Sequence, residues 1–468
     1  LAAAFLIRVG FEEFALKFIL VVLPATLLVY CTYLLGKELF DKKTGLFAAL
    51  ASAGMWSYLF WGARFQPDFL SLTFQVLSLL FFWKMFKNPN SKYAVLGGAC
   101  AALGFYFKIS ALLIPLSIGV FALWKDRLEM FKKKVYWQAL FAFIITMIPF
   151  MFWQYAIFGN PTAFAPSYGV EGGTAERPLG WMALDFFIHL PKELFFFLFL
   201  VGIITALLRI GLHFDILVKD KEKRVNAQIF SVIIIAVVAC FYIFYIQGII
   251  EDRWVFLITP FIFYFAAQGI WSIFAWLNIH SKGIKLFIIL VLFIVFFYVQ
   301  TTHTTELVKN KLPSYVAVKE AALWIKDHSS SNEKIVSASY TQMTAYTERE
   351  VLIFAPCTYG CNQFENDLVF DRYLKEKRPK YITFSLFEGH PPWAFQQRQY
   401  ENGVQEIVLP YLNSSLAFNQ QGQVVGMDIK QSIQREDLIF TLVYPLGGVN
   451  GIFVYEVSYE KNSSPQSL

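Results

Sequence analysis

Six ionic side chains stand where long apolar runs break: Arg64 and Asp68, then Lys108, then Glu251, Asp252 and Arg253. A guanidinium can grip a phosphate through a bidentate fork, and an ammonium can hold it as a point charge. A carboxylate beside such cations can orient them or move a proton. The set suits an anionic head group carried by a lipid, with Asp68 as the catalytic carboxylate, Arg64, Lys108 and Arg253 on the phosphate, and Glu251 and Asp252 as further candidates. Each residue also has a plainer role open to it. Asp68 follows Pro67 and can cap a helix. Lys108 can snorkel to an interface, and Glu251-Asp252-Arg253 can be an ordinary interfacial turn.

The elements that must position these residues are membrane spans. The chain is 57% hydrophobic and 16% charged, with 51 Phe, whereas a soluble domain carries about 25% charged residues. Apolar runs fall at roughly 14–35, 44–61, 69–86, 93–107, 111–124, 136–153, 191–209, 229–250, 254–277 and 284–300. Runs near 18 residues are long enough to cross a bilayer. The runs at 93–107 and 111–124 are short. Fifteen residues reach only about 22 Å, against a hydrocarbon core of roughly 30 Å. They are expected to form a broken or partly re-entrant hairpin with Lys108 at its apex.

Within residues 1–303 most cations sit in short loops: Lys37, Lys42 and Lys43; Lys84, Lys87 and Lys92; Lys125 to Lys134; Lys219 to Arg224; Lys282 and Lys285. Threading the spans puts all of these loops on one side, which the positive-inside rule makes cytoplasmic. The Arg64–Asp68, Lys108 and Glu251–Arg253 turns then share the outer side. The net charge of +6 therefore reflects topology rather than a nucleic-acid partner. The same threading places residues 1–13 outside, so an N-terminal truncation with a further span upstream is expected.

The expected fold is a polytopic α-helical membrane protein with a C-terminal extracytoplasmic α/β domain. The multi-span part is 1–303 and the α/β part 304–468, in a cell-membrane protein. In the second part, helices are expected over 313–328 and 364–377. Strands are expected at 334–339, 351–354, 381–387, 404–409, 438–444 and 451–459. Cys357 and Cys361 flank Thr-Tyr-Gly, and a local disulfide fits an oxidising exterior. The 154–190 loop could act as a lid or acceptor groove. No P-loop, dinucleotide fingerprint or Ser-His-Asp pattern is present. No cofactor is required by the sequence; the carboxylate rim could hold a divalent metal or none.

Several segments resemble the GT-C class of polyprenyl-phosphate-sugar-dependent glycosyltransferases, above all the family of the dolichyl-phosphate-mannose–protein mannosyltransferases and the lipid A aminoarabinose transferase. They are Thr44-Gly-Leu-Phe-Ala-Ala-Leu, Ala-Arg64-Phe-Gln-Pro-Asp68, Gly97-Gly, Gly104-Phe-Tyr-Phe-Lys108 and Ile114-Pro115. Further along are Arg253-Trp with Thr-Pro260, Ala322-Leu-Trp-Ile325 and Tyr346-Thr-Glu-Arg349. The resemblance implies an inverting transfer of a sugar from a polyprenyl (dolichyl or undecaprenyl) monophosphate to a protein or lipid acceptor at the outer face. It further implies Asp68 as a site carboxylate and Lys108 and Arg253 on the phosphate side. The family's best-known acidic motif lies in a first outer loop, upstream of where this chain begins. The competing readings are a non-catalytic relative and a transporter or lipid-handling protein.

Overall fold

The structure, a computed structural model, describes residues 9–62, 64, 66–162, 188–212, 222–245, 252–354, 364–387, 391–400, 404–419, 424–444 and 451–460. Glu251, Cys357 and Cys361, and most of the 154–190 loop, lie outside them. The chain divides into two compact units, Leu1–Val308 and Lys309–Leu468.

The first unit is helical: α1 (Leu23–Leu39), α2 (Lys42–Gly54), α3 (Trp56–Gly62), α4 (Asp68–Lys87), α5 (Ser91–Phe107), α6 (Leu113–Asp126), α7 (Lys134–Phe158), α8 (Lys192–Leu212), α9 (Glu222–Tyr245), α10 (Thr259–Trp276) and α11 (Lys282–His328). A helical turn (Glu13–Lys17) and a π-helical segment (Phe18–Val22) lead into α1. Among the described residues, seven helices are long and apolar enough to cross a membrane. Their exposed faces are rich in Phe, Leu and Ile, as on Ile145, Phe152, Leu286 and Phe287. Such surface is costly in water but at home in lipid.

Three expectations need correction. The 44–61 run is not one span. It breaks at Met55, whose backbone is extended (ψ 128°), into α2 and α3. Two contacts fix the break. The Trp56 N–H donates to Gln300 Oε1 at 2.7 Å instead of to a helix carbonyl. Gly54 lies so close to Phe297 that a Cβ would sit 1.9 Å from its ring. The 111–124 run is not short either: 3₁₀ turns at both ends extend it to Ile109–Lys132. The helix expected to begin at Pro313 is instead the last part of α11, with Pro313 inside it. An interior proline costs about 3 kcal/mol. Here Ala317, Val318, Ala321, Ala322 and Ile325 bury against Ile335 and Tyr381, which holds the helix on course beyond the proline.

Helices α8 and α10 approach closely at paired glycines. A Cβ on Gly202 would lie 1.8 Å from the Phe265 carbonyl oxygen, and one on Gly269 would lie 2.1 Å from that of Leu198. Small residues let helix backbones meet where the surrounding lipid offers no hydrophobic driving force. Gly202→Leu is expected to force the pair apart at a cost of about 3 kcal/mol or more. Thermal unfolding of the detergent-solubilised protein reads this as a drop in Tm; an unchanged Tm means the helices do not meet there.

The second unit is α/β. One sheet runs β2-β1-β3-β10-β9-β8, with β1 (Lys334–Ser337) parallel to β2 (Glu350–Ile353) and β3 (Tyr381–Ser385). β8 (Ser432–Arg435), β9 (Leu438–Tyr444) and β10 (Ile452–Tyr459) continue it as antiparallel neighbours. A separate antiparallel sheet comprises β4 (Gln396–Gln399), β5 (Gln405–Leu409), β6 (Ser414–Phe418) and β7 (Val424–Asp428). Helices α12 (Tyr340–Thr347) and α13 (Asp367–Lys377) complete the unit. Its core holds a buried polar group: the Asp371 carboxylate accepts from Tyr411 and, at 3.4 Å, from Arg435. Burial raises the Asp371 carboxyl above its ordinary range in spite of these donors.

The Tyr346-Thr-Glu-Arg349 segment has a structural role. Arg349 Nη2 donates to the carbonyls of Lys326 and Ser329 at 3.2 and 2.8 Å, and its Nε donates to Ser329 Oγ at 3.2 Å. These bonds close the C-terminal end of α11, where carbonyls otherwise lack partners. Arg349→Ala is expected to cost about 2 kcal/mol. Hydrogen exchange should show it as lost protection in the last turn of α11 and in β1.

Candidate functional site

Asp68 opens α4, with Pro67 at its N-cap. Proline at this place pre-sets the backbone, and an acidic first residue complements the helix dipole. The last turn of the same helix carries Lys84 and Lys87, both paired with Glu38 of α1 (4.0 and 2.8 Å). The candidate site and this basic rim are thus opposite ends of one twenty-residue helix, about 30 Å apart.

Lys108 is the C-cap of α5, in extended backbone between that helix and the 3₁₀ turn Ile109–Leu112. Gly104 sets its position. The Gly104 carbonyl accepts from Ser71 Oγ of α4 at 2.7 Å, and a Cβ there would press on Ser71, Gln75 and Ala111 at 3.3 Å. Arg253 lies in the 3₁₀ segment Asp252–Ile258 that leads into α10. Beneath the ionic groups, Tyr58 of α3, Phe69 of α4 and Phe256 of that segment form a buried aromatic triangle with centroid separations of 5.4, 4.9 and 5.7 Å. The two pairs that involve Tyr58 are edge-to-face, a geometry that adds about 0.5–1.5 kcal/mol per pair. The triangle ties together the segments that carry Arg64, Asp68 and Arg253.

The three turns meet. Lys108 Nζ donates to Asp68 Oδ1 and, at 3.1 Å, to the Arg253 carbonyl oxygen. Arg253 Nη1 lies 3.8 Å from Asp68 Oδ2. The Asp68 side chain is 4% exposed, Lys108 18% and Arg253 28%. The carboxylate is thus the buried floor and the cations are its more open rim. Arg64 joins through its guanidinium, 4.1 Å from the Phe60 ring and 4.4 Å from that of Trp61. Asp252 shares the 3₁₀ segment with Arg253.

Two participants were not singled out from the sequence. Gln66 Oε1 accepts from Arg253 Nη1 at 3.0 Å. Trp61 lies 5.0 Å from the Arg253 guanidinium while also facing Arg64. Both sit inside or beside Arg64-Phe-Gln-Pro-Asp68, where the ionic residues drew attention away from the neutral amide between them. Among the described residues, no three His, Cys, Asp or Glu side chains group as a metal site requires.

Comparisons with known proteins agree with this architecture. Residues 1–153 match the family model described as dolichyl-phosphate-mannose-protein mannosyltransferase. That stretch includes Asp68 and Lys108 but not Arg253, so it is shorter than the resemblance read from the sequence. No curated protein matches the chain. Among solved structures, the Archaeoglobus fulgidus oligosaccharyltransferase AglB, in complex with an inhibitory peptide and a dolichol-phosphate, aligns with a TM-score of 0.59 at 11% identity. The alignment covers 94% of this chain and 66% of that one. The same organism's oligosaccharyltransferase with Zn and sulfate aligns with a TM-score of 0.54 at 15% identity, covering 80% of this chain and 56% of that one. The chain therefore spans less than two thirds of the length of these structures. It is a polytopic membrane protein whose fold is similar to that of the archaeal oligosaccharyltransferase, and its first 153 residues match the family model described as dolichyl-phosphate-mannose-protein mannosyltransferase.

Proposed function

We propose that the protein is a membrane glycosyltransferase that moves a sugar from a polyprenyl monophosphate to a protein or lipid acceptor. One observation carries the reading: Asp68, Lys108 and Arg253, from three non-adjacent turns, gather at one end of the bundle. The cations are positioned to hold the phosphate that leaves. The bond between the anomeric carbon and the phosphate oxygen breaks, and its electron pair stays on that oxygen, where Lys108 and Arg253 offset the developing charge. The acceptor heteroatom bonds the anomeric carbon from the opposite face, which inverts the configuration, and its proton passes to Glu251 or Asp252, the candidate carboxylates next to Arg253 in the chain. Asp68 already accepts from Lys108, which favours an orienting role for it over proton transfer. Arg64 lies one indole away from Arg253 and extends the cationic rim.

The positive-inside rule places the Lys84 and Lys87 end in the cytoplasm and the Asp68 end outside. A lipid-linked phosphate at head-group depth is within reach of such a rim. The test uses the full chain in nanodiscs with a polyprenyl-phospho-sugar whose sugar is radiolabelled. Transfer of label to a protein or lipid acceptor with release of polyprenyl phosphate is expected. A donor left intact, although the protein binds it, marks a non-catalytic relative.

A further inference from the structure

We infer that Gln66 is a positioning residue that holds the Arg253 guanidinium off Asp68 and keeps that cation available to the phosphate; this rests on the function proposed above. A guanidinium and a carboxylate left to themselves close to hydrogen-bond contact, at about 2.7–2.9 Å and often as a bidentate fork. Here they do not. Arg253 Nη1 stands 3.8 Å from Asp68 Oδ2, and the same Nη1 donates to Gln66 Oε1 at 3.0 Å. The Trp61 ring lies 5.0 Å from the guanidinium and backs this placement.

The chemistry of the residue at 66 matters. An amide oxygen accepts a hydrogen bond without cancelling the charge of its donor, whereas a carboxylate there would neutralise Arg253. Gln66 precedes Pro67, and a residue before proline is restricted to extended backbone. Its side chain therefore starts from a fixed point two residues before the carboxylate with which it competes. Without that competitor, Arg253 closes on Asp68 and its charge is lost to the phosphate.

Gln66→Leu and Gln66→Glu test the inference in the full chain, reconstituted in nanodiscs and titrated with a short-chain polyprenyl monophosphate. Gln66→Leu is expected to weaken binding by about tenfold, the ordinary size of one lost charge-assisted contact. Gln66→Glu, which keeps the reach but cancels the charge, is expected to weaken it at least as much. Adding Asp68→Asn to Gln66→Leu removes the anion on which Arg253 would collapse. The extra loss caused by Gln66→Leu should then shrink to less than threefold relative to Asp68→Asn alone. A purely structural Gln66 predicts the same loss in both backgrounds, and that result overturns the inference, as does wild-type affinity in Gln66→Leu. A structure of Gln66→Leu gives an arm that needs no ligand. Arg253 within hydrogen-bond distance of Asp68 supports the inference, and Arg253 unmoved overturns it. If the wild-type chain binds no polyprenyl phosphate, the functional reading fails and this geometric arm alone decides the positioning claim.

Discussion

Arg253→Ala is expected to lower sugar transfer by about 10²–10³-fold, the usual cost of removing one preorganised charge stabiliser from a transition state. The side chain is 28% exposed and rests on Trp61 and Gln66, so its removal should leave the fold intact. The loss should fall mainly on kcat if the cation meets the phosphate most strongly as that group departs, and on KM if it binds donor and transition state alike. Arg253→Lys restores charge but not the planar fork, so partial recovery is expected. Steady-state kinetics with labelled donor reads both. Normal turnover by Arg253→Ala would remove Arg253 from the site.

Lys108→Met has the second large effect, and it separates stability from chemistry. The Asp68 carboxylate is 4% exposed and accepts from the Lys108 ammonium. Removing one member of a buried ion pair typically costs 3–5 kcal/mol, and here it leaves the buried Asp68 charge to the more distant Arg253, 3.8 Å away. Lys108→Met should therefore lower the Tm of the solubilised protein by several degrees or more. Adding Asp68→Asn removes that charge, and most of the lost stability should return. Transfer should not return, because the phosphate still lacks its ammonium. A double variant that recovers both stability and transfer would reduce the pair to a structural bolt.

The sequence and the structure agree best where a single physical signal dominates. Long apolar runs against short basic loops gave nearly every helix of the first unit, because lipid leaves few other choices. In the second unit, alternation and breakers located β1, β2, β3, β5, β9 and β10 together with the helix before Pro379. The short, polar β4 (Gln-Gln-Arg-Gln) and β8 (Ser-Ile-Gln-Arg) carry no such alternation and were not legible. Neither was the break at Met55, which depends on Gln300, 244 residues away from its partner Trp56. For the candidate site, charge at span ends singles out Asp68, Lys108 and Arg253, which the structure brings together. What they need to work together is long-range packing: Ser71 on Gly104, and Phe256 on Tyr58 and Phe69. Gln66 was hidden for a related reason, since a neutral amide carries no signal until its guanidinium partner is seen.

The central claim is that this ionic cluster grips a lipid-linked phosphate, and direct binding tests it without assuming an acceptor. The full chain in nanodiscs should bind a polyprenyl monophosphate saturably. Binding should weaken by about tenfold or more in Arg253→Ala, consistent with loss of a charge-assisted contact. Equal affinity in wild type and Arg253→Ala, or no saturable binding to either, would contradict it.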